Sequence, residues 1–224
     1  MTELLWGGQP QRSRGPKPAI TLAGIAEAGI RIADTEGLDA VSMQRVADDL
    51  PVTKMALYRH VPGKSELVAV MSDLAFGPPP DHDAMPWRDA LKTWALDLYA
   101  AFAKHPWLLQ STVGRRLLGP NELAWMDRGV EKLAGSGLDG GEQLDSILVL
   151  SSHVRNLAQQ TLTTGLTEDY INQALAGILS TEAARFPHLA AAMQTAAGGE
   201  NQGLEFGLDR ILDGLEVLIS ARKG

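Results

Sequence analysis

The chain has 224 residues, with 20 Lys+Arg against 27 Asp+Glu for a formal net charge of -7. Hydrophobic residues make up 45% and charged ones 21%, a globular composition that excludes a disordered chain, and the length suits one large domain or two smaller ones. The absence of cysteine excludes disulfides, thiolate zinc sites, iron–sulfur clusters and cysteine nucleophiles. The start, MTELLWGG, has no basic stretch leading into an apolar core, and no apolar run approaches the roughly 18 residues of a membrane span. A cytoplasmic protein with no membrane partner is expected. Taken whole, the acidic balance argues against coating nucleic acid by bulk charge.

The total conceals an asymmetry. Residues 1–64 carry eight cations and seven anions, which leaves 12 cations and 20 anions for the rest. Arg12, Arg14 and Lys17 stand among Gly and Pro with no acid between them. A stretch so poor in apolar residues cannot order itself by burial, so 1–20 reads as a flexible basic arm. Charge alone fits a soluble tail equally well.

Helical periodicity dominates the remainder. Thr21 opens a helix whose Leu22, Ile25, Ala26, Gly29, Ile32 and Ala33 share a face, and Gly37 closes it. Ser42 caps a short helix to about Leu50, Thr53 caps another over about 53–60, and Leu67, Val70, Met71 and Leu74 stripe a fourth. Gly77-Pro78-Pro79-Pro80, running on to Pro86, is the clearest break and is taken as the boundary between domains at 21–77 and 87–224. Beyond it, Leu91, Trp94, Ala95, Leu98 and Phe102 mark a long helix ending at His105-Pro106. Helical segments follow at about 120–135, 141–163, 167–184 and 203–221. No alternating strand pattern and no internal repeat occurs, so the fold class is all-α.

Residues 42–61, SMQRVADDLPVTKMALYRHV, carry the chemistry. Two short helices joined by about three residues, with small Ala47 at their crossing and Val46, Leu50, Val52 and Leu57 between them, form a helix-turn-helix pattern. The other face of the second helix offers Thr53, Lys54, Met55, Tyr58, Arg59 and His60. Lys and Arg suit phosphate or guanine, the hydroxyls suit phosphate oxygens, and Met suits a thymine methyl. An ordinary αα-hairpin with a solvated face is the bland alternative.

The motifs Glu36-Gly37-Leu38-Asp39-Ala40-Val41-Ser42-Met43, Val46-Ala47, Ala56-Leu57-Tyr58-Arg59-His60-Val61 and Lys64-Ser65-Glu66-Leu67 stand in one order and spacing. Through them, Thr21 to about Gly77 resembles the N-terminal domain of the tetracycline-repressor (TetR) family of bacterial regulators. The tail from Leu204 to Leu215 resembles the end of that family's tetracycline-repressor-type C-terminal domain. The resemblance implies a homodimer that places its third helix in the major groove of a double-stranded DNA operator. By position, Gln44, Lys54, Met55 and Ala56 would face base edges, while Met43, Thr53, Tyr58, His60 and Lys64 would meet phosphate or sugar. Arg59 could serve either role. One departure stands at the turn, where the family usually has glycine and this chain has Pro51, whose ring should fix φ negative.

In the family, the C-terminal domain binds a small molecule that shifts the two readers. Here Trp94, Phe102, Trp107 and Trp125 supply aromatic stock for a hydrophobic or aromatic effector, although aromatics at helical spacing are more often plain core. Val149, His153, Asn156 and Gln160 share one face of the 141–163 segment, a stripe suited to a ligand wall, a water site or a dimer seam. The resemblance builds the dimer from this helix and the last one. Gly203, Gly207 and Gly214 near one side of the last helix would allow close helix contact. Tetracycline is not implied: members that bind it use a histidine shortly before the Gly119-Pro120 loop, and residues 111–118 contain none. Arg115 and Arg116, if turned inward, could receive a carboxylate or phenolate.

Two further signals are set aside. Gly135-Ser136-Gly137-Leu138-Asp139-Gly140 spells G-x-G-x-x-G but follows a helix rather than a strand, so it reads as a helix-ending loop. Asp81-His82-Asp83 lies in the proline-rich stretch, which reads as a solvated linker, so neither metal nor cofactor is expected. No nucleophile elbow, H-E-x-x-H or P-loop occurs. The reading is a DNA-binding repressor released by a small molecule, not an enzyme. The alternative is an all-α small-molecule enzyme or carrier with a structural N-terminal domain.

Overall fold

The computed structural model describes residues 2–7, 20–163, 165, 167–195 and 202–223. Arg12, Arg14 and Lys17 of the basic arm lie outside them. Among the described residues the fold is all-α, and the chain forms two compact units, 1–134 and 135–224.

In the first unit, α1 (Thr2–Trp6) precedes α2 (Leu22–Glu36), α3 (Met43–Asp49), α4 (Lys54–Tyr58) and α5 (Lys64–Phe76). Each cap expected from the sequence is in place. Thr21 Oγ1 accepts the Gly24 N–H at 3.0 Å, Ser42 Oγ that of Arg45 at 3.1 Å, and Thr53 Oγ1 that of Ala56 at 3.2 Å. Ile25, Ala26, Ile32, Val46, Ala47, Leu57, Leu67 and Met71 form the core, while Leu50 and Val52 are half-buried and Leu74 is exposed. Gly29 lets α2 cross close to α5, since a Cβ there would lie 2.5 Å from Met71 Sδ.

The turn between α3 and α4 corrects one expectation: Pro51 has φ 26°, not a negative value. Leu50 N–H donates to Val46 O at 3.1 Å and Val52 N–H to Ala47 O at 3.0 Å. With both neighbours held to α3, the chain reverses at position 51 through the left-handed region that glycine adopts without strain.

The proline-rich segment leads into α6 (Trp87–Lys104), α7 (Leu108–Ser111) and α8 (Pro120–Glu131), which belong to the same unit. This segment is not a solvated linker. His82 Nε2 lies 2.6 Å from Asp97 Oδ2 on α6, and Asp83 Oδ1 meets Lys132 Nζ at 2.7 Å and Arg128 Nη1 at 2.9 Å. Those contacts hold Asp83 below the usual carboxylate range, chiefly through the hydrogen bond from Lys132.

The second unit holds α9 (Gly140–Ala158), α10 (Glu168–Glu182), α11 (Pro187–Thr195) and α12 (Gln202–Lys223). The 135–140 stretch is a helix-ending loop, with Gly135 and Gly137 at positive φ, and it feeds a capping box in which Asp139 and Glu142 satisfy each other's backbone N–H. The segment expected as one helix over 141–163 changes to a π-helix at Gln159–Thr163. Leu150, Val154, Ala158, Leu208, Leu212 and Ile219 are buried between α9 and α12, and an Arg222–Glu142 ion pair joins the two helices. Helix α11 falls where no strong apolar period marked it.

Candidate nucleic-acid interface

The helix-turn-helix brings most of the expected contact set to one exposed region. Thr53, Lys54, Met55, Tyr58, Arg59, His60 and Lys64 are exposed, Gln44 is exposed on α3, and Ala56 is half-buried. Met55 is 71% exposed, so its apolar side chain is free to meet a partner surface. Lys54 Nζ lies 5.9 Å from the centroid of the Tyr58 ring, so the cation rides over the aromatic face. Thr53 Oγ1 spends a lone pair on the Ala56 N–H, which leaves its own O–H to donate. Met43 is placed otherwise: its side chain is 5% exposed and packs in the core, so only its backbone can meet a phosphate.

Ion pairing sorts the cations of this surface. Arg31 Nη2 pairs with Asp49 Oδ2 at 2.7 Å, and Arg45 Nη2 with Glu36 Oε1 at 2.8 Å, so both are already neutralised within the chain. Lys54, Arg59 and Lys64 make no ion pair among the described residues. The charge available for phosphate therefore sits on α4 and at the first turn of α5.

The expected effector residues fall in both units. In the first, Trp94, Phe102, Trp107 and Trp125 are buried, and every indole N–H has an acceptor in the chain. Trp94 donates to Trp125 O at 3.0 Å, Trp125 to Gly77 O at 3.0 Å, and Trp107 to Asp34 Oδ1 at 2.7 Å. Phe102 meets Phe76 edge-on, with ring centroids 5.9 Å apart. These rings tie α6, α7 and α8 to one another and to α2 and the end of α5. In the second unit, His153 Nε2 lies 3.1 Å from Leu204 O on α12, while Val149, Asn156 and Gln160 are exposed. Gly207 serves this same contact: a Cβ there would lie 2.2 Å from the His153 ring. Gly214 has open space beside it.

Arg116 turns inward, but its carboxylate is supplied by the chain. It makes a two-pronged pair with buried Glu122, at 2.7 and 2.5 Å. Two acids that the sequence reading passed over organise this region. Asp34 gathers Trp107 and His105, whose Nδ1 is 2.8 Å from Asp34 Oδ1. Asp73 on α5 accepts the backbone N–H of Asn121 at 2.8 Å and of Glu122 at 3.1 Å, at the start of α8. Burial, partly offset by those two hydrogen bonds, raises Asp73 above the ordinary carboxylate value. Its only sequence signal is an acid inside the apolar run Val68-Ala69-Val70-Met71 to Leu74.

Comparison with known proteins agrees with this geometry. The family model described as bacterial regulatory proteins of the tetR family matches residues 25–71, and that for the tetracyclin repressor-like C-terminal domain matches 79–219. The chain is 38% identical to the HTH-type transcriptional repressor DrrR1 of Streptomyces coeruleorubidus, covering 99% of this chain and 87% of that one. It is 26% identical to an HTH-type transcriptional regulator of Saccharopolyspora erythraea, over 92% of this chain and 89% of the relative. Apo ActR from Streptomyces coelicolor superposes with a TM-score of 0.80 at 26% identity, covering 92% and 99% of the two chains. ActR in complex with actinorhodin gives 0.76 at 27% identity, with the same coverage. The chain belongs to the tetracycline-repressor family and is a DNA-binding transcriptional repressor.

Proposed function

We propose that the chain works as a cytoplasmic homodimer that holds a palindromic operator and releases it when a hydrophobic or aromatic small molecule occupies the C-terminal domain. Residues 21–77 act as the reader and 87–224 as the sensing and pairing domain, with 1–20 as a basic arm. The carrying observation is the exposed set on and beside α4, namely Lys54, Met55, Tyr58, Arg59 and Lys64, whose cations make no ion pair among the described residues. Lys54, Met55 and Ala56 meet base edges with Gln44. Thr53, Tyr58, His60, Lys64 and the Met43 backbone meet phosphate or sugar, and Arg59 takes either role.

Pairing runs through α9 and α12, whose Leu144, Leu148, Val149, Phe206 and Val217 are exposed in the single chain. The open space at Gly214 admits a second helix there. For the effector, the likeness to a protein crystallised with actinorhodin supports an extended hydrophobic ligand. The candidate contacts are taken within each unit by itself: the aromatic Trp94, Phe102, Trp107 and Trp125 in the first, and the polar His153, Asn156 and Gln160 in the second.

Sheared genomic DNA passed over the immobilised protein, followed by sequencing, tests the reading. Enrichment of one short palindrome, lost in the Lys54→Ala/Tyr58→Ala double variant while the dimer stays folded, is the expected result. Undiminished enrichment by that variant would remove α4 as the reader.

A further inference from the structure

Gln44 does not stand alone on the surface of α3. Its Nε2 lies 2.8 Å from Oδ1 of Asp48, one helical turn further on, and both side chains are exposed. A carboxylate can only accept, so the amide atom facing Asp48 must be the nitrogen, and the amide's orientation is fixed by chemistry. An amide NH₂ carries two hydrogens, one beside its own oxygen and one pointing away. Paired recognition of adenine uses the oxygen, which accepts from N6, and the adjacent hydrogen, which donates to N7. The remaining hydrogen is the one a neighbouring carboxylate can take.

We infer that Asp48 is a positioning residue for operator specificity: it holds the Gln44 amide so that its oxygen and adjacent N–H together select adenine at one position of each half-site. This rests on the reading that α3 approaches the major groove. A free glutamine rotates about three side-chain bonds and turns its amide either way, accepting from cytosine or adenine or donating to guanine. Tethered at the far hydrogen, it presents a single edge. Asp48 belongs to this arrangement rather than to the ion pairs beside it, because Arg45 is held by Glu36 at 2.8 Å and Arg31 by Asp49 at 2.7 Å. An acid on a DNA-facing helix repels phosphate, and orienting the Gln44 amide gives Asp48 a role on that face that offsets this cost.

The test is selection of the full-length protein against a randomised double-stranded DNA library, comparing wild type with Gln44→Ala, Asp48→Ala and Asp48→Asn, each checked for folding by circular dichroism. Wild type is expected to select adenine at one position per half-site, and Gln44→Ala to lose that preference alone. Asp48→Ala should cut the preference for adenine over other bases at the same position by roughly tenfold. Its preferences elsewhere should stay unchanged. Asp48→Asn, which keeps an accepting oxygen, should retain the preference. A Gln44→Ala variant with an unaltered consensus would overturn the groove placement of α3, and this inference with it. Loss of adenine in Gln44→Ala but not in Asp48→Ala would overturn the positioning role alone, as would an Asp48→Asn variant that behaves like Asp48→Ala.

Discussion

Asp34 Oδ1 accepts the indole N–H of Trp107 at 2.7 Å, joining α2, the helix before the helix-turn-helix, to the corner between α6 and α7. The same oxygen lies 2.8 Å from His105 Nδ1, and since a carboxylate only accepts, that nitrogen carries a proton. His105 and Trp107 are both buried, so each donor depends on Asp34 for its partner within the chain. Asp34→Ala leaves two buried donors unpaired and is expected to destabilise the protein by about 2–4 kcal/mol. Trp107→Phe, which removes one donor and a little volume, should cost less. Urea denaturation of the two variants checks the order, and equal losses would show that the hydrogen bonds contribute nothing beyond packing.

Asp73 gives a pH-dependent prediction. Its folded-state pKa is raised, chiefly by burial, so at neutral pH the ionised side chain detracts from stability. As pH falls through the raised folded value towards the ordinary one near 3.9, the folded state takes up a proton more readily than the unfolded state, and that loss is removed. Wild type should therefore gain stability relative to Asp73→Asn as pH drops from neutral towards about 4. Asp73→Ala leaves the Asn121 and Glu122 N–H groups without an acceptor and should be destabilised at every pH in that range. Urea midpoints measured at several pH values decide both points, and a wild-type to Asp73→Asn difference independent of pH would contradict the first.

Much of this was legible in the sequence because it is local. Caps at Thr21, Ser42 and Thr53, small Ala47 at the crossing, and the exposed face of α4 follow from residue type and spacing within one or two turns. Met43 came to the phosphate set only through the family resemblance, and its apolar side chain instead fills the core. The tryptophans were visible as a cluster, but their N–H partners were not. Trp107 finds an acid 73 positions away and Trp125 a carbonyl 48 positions away, and no local pattern encodes such pairs. Gly207 shows the same limit, since its spacing suggested a partner chain while its nearest neighbour is His153 of its own unit.

That pairing is open to a direct test. A methyl group at position 207 would lie 2.2 Å from the His153 ring, well inside contact distance, so Gly207→Ala must push α12 away from α9 or displace the imidazole from Leu204 O. Overpacking of this kind costs typically about 1–3 kcal/mol, which equals or exceeds the gain in helix propensity of roughly 1 kcal/mol that alanine brings. His153→Ala makes room for the methyl group but loses the hydrogen bond. The double variant should therefore be more stable than the sum of the two single losses predicts, by about 1 kcal/mol or more. Additive losses in thermal or urea unfolding would mean that the two positions do not share the space.

Pro51 offers the opposite case, a position where the residue resists the conformation it occupies. Its φ of 26° lies far from the value near −65° that the pyrrolidine ring prefers. The fold imposes it, because Leu50 and Val52 on either side both donate to α3 carbonyls. A residue held in a sparsely populated region stores about 1–3 kcal/mol. Glycine adopts positive φ freely but widens the unfolded ensemble, which takes back about 0.4–1 kcal/mol. Pro51→Gly should thus be stabilising by about 1 kcal/mol, a rise in Tm of roughly 2–4 °C for a chain of this size. Pro51→Ala, freed of the ring but still carrying a Cβ, should gain less. Because neither change touches Lys54, Met55 or Tyr58, operator affinity should stay within a few-fold of wild type in both. A fall in Tm for Pro51→Gly would mean that the turn relaxes around the proline ring and stores no strain.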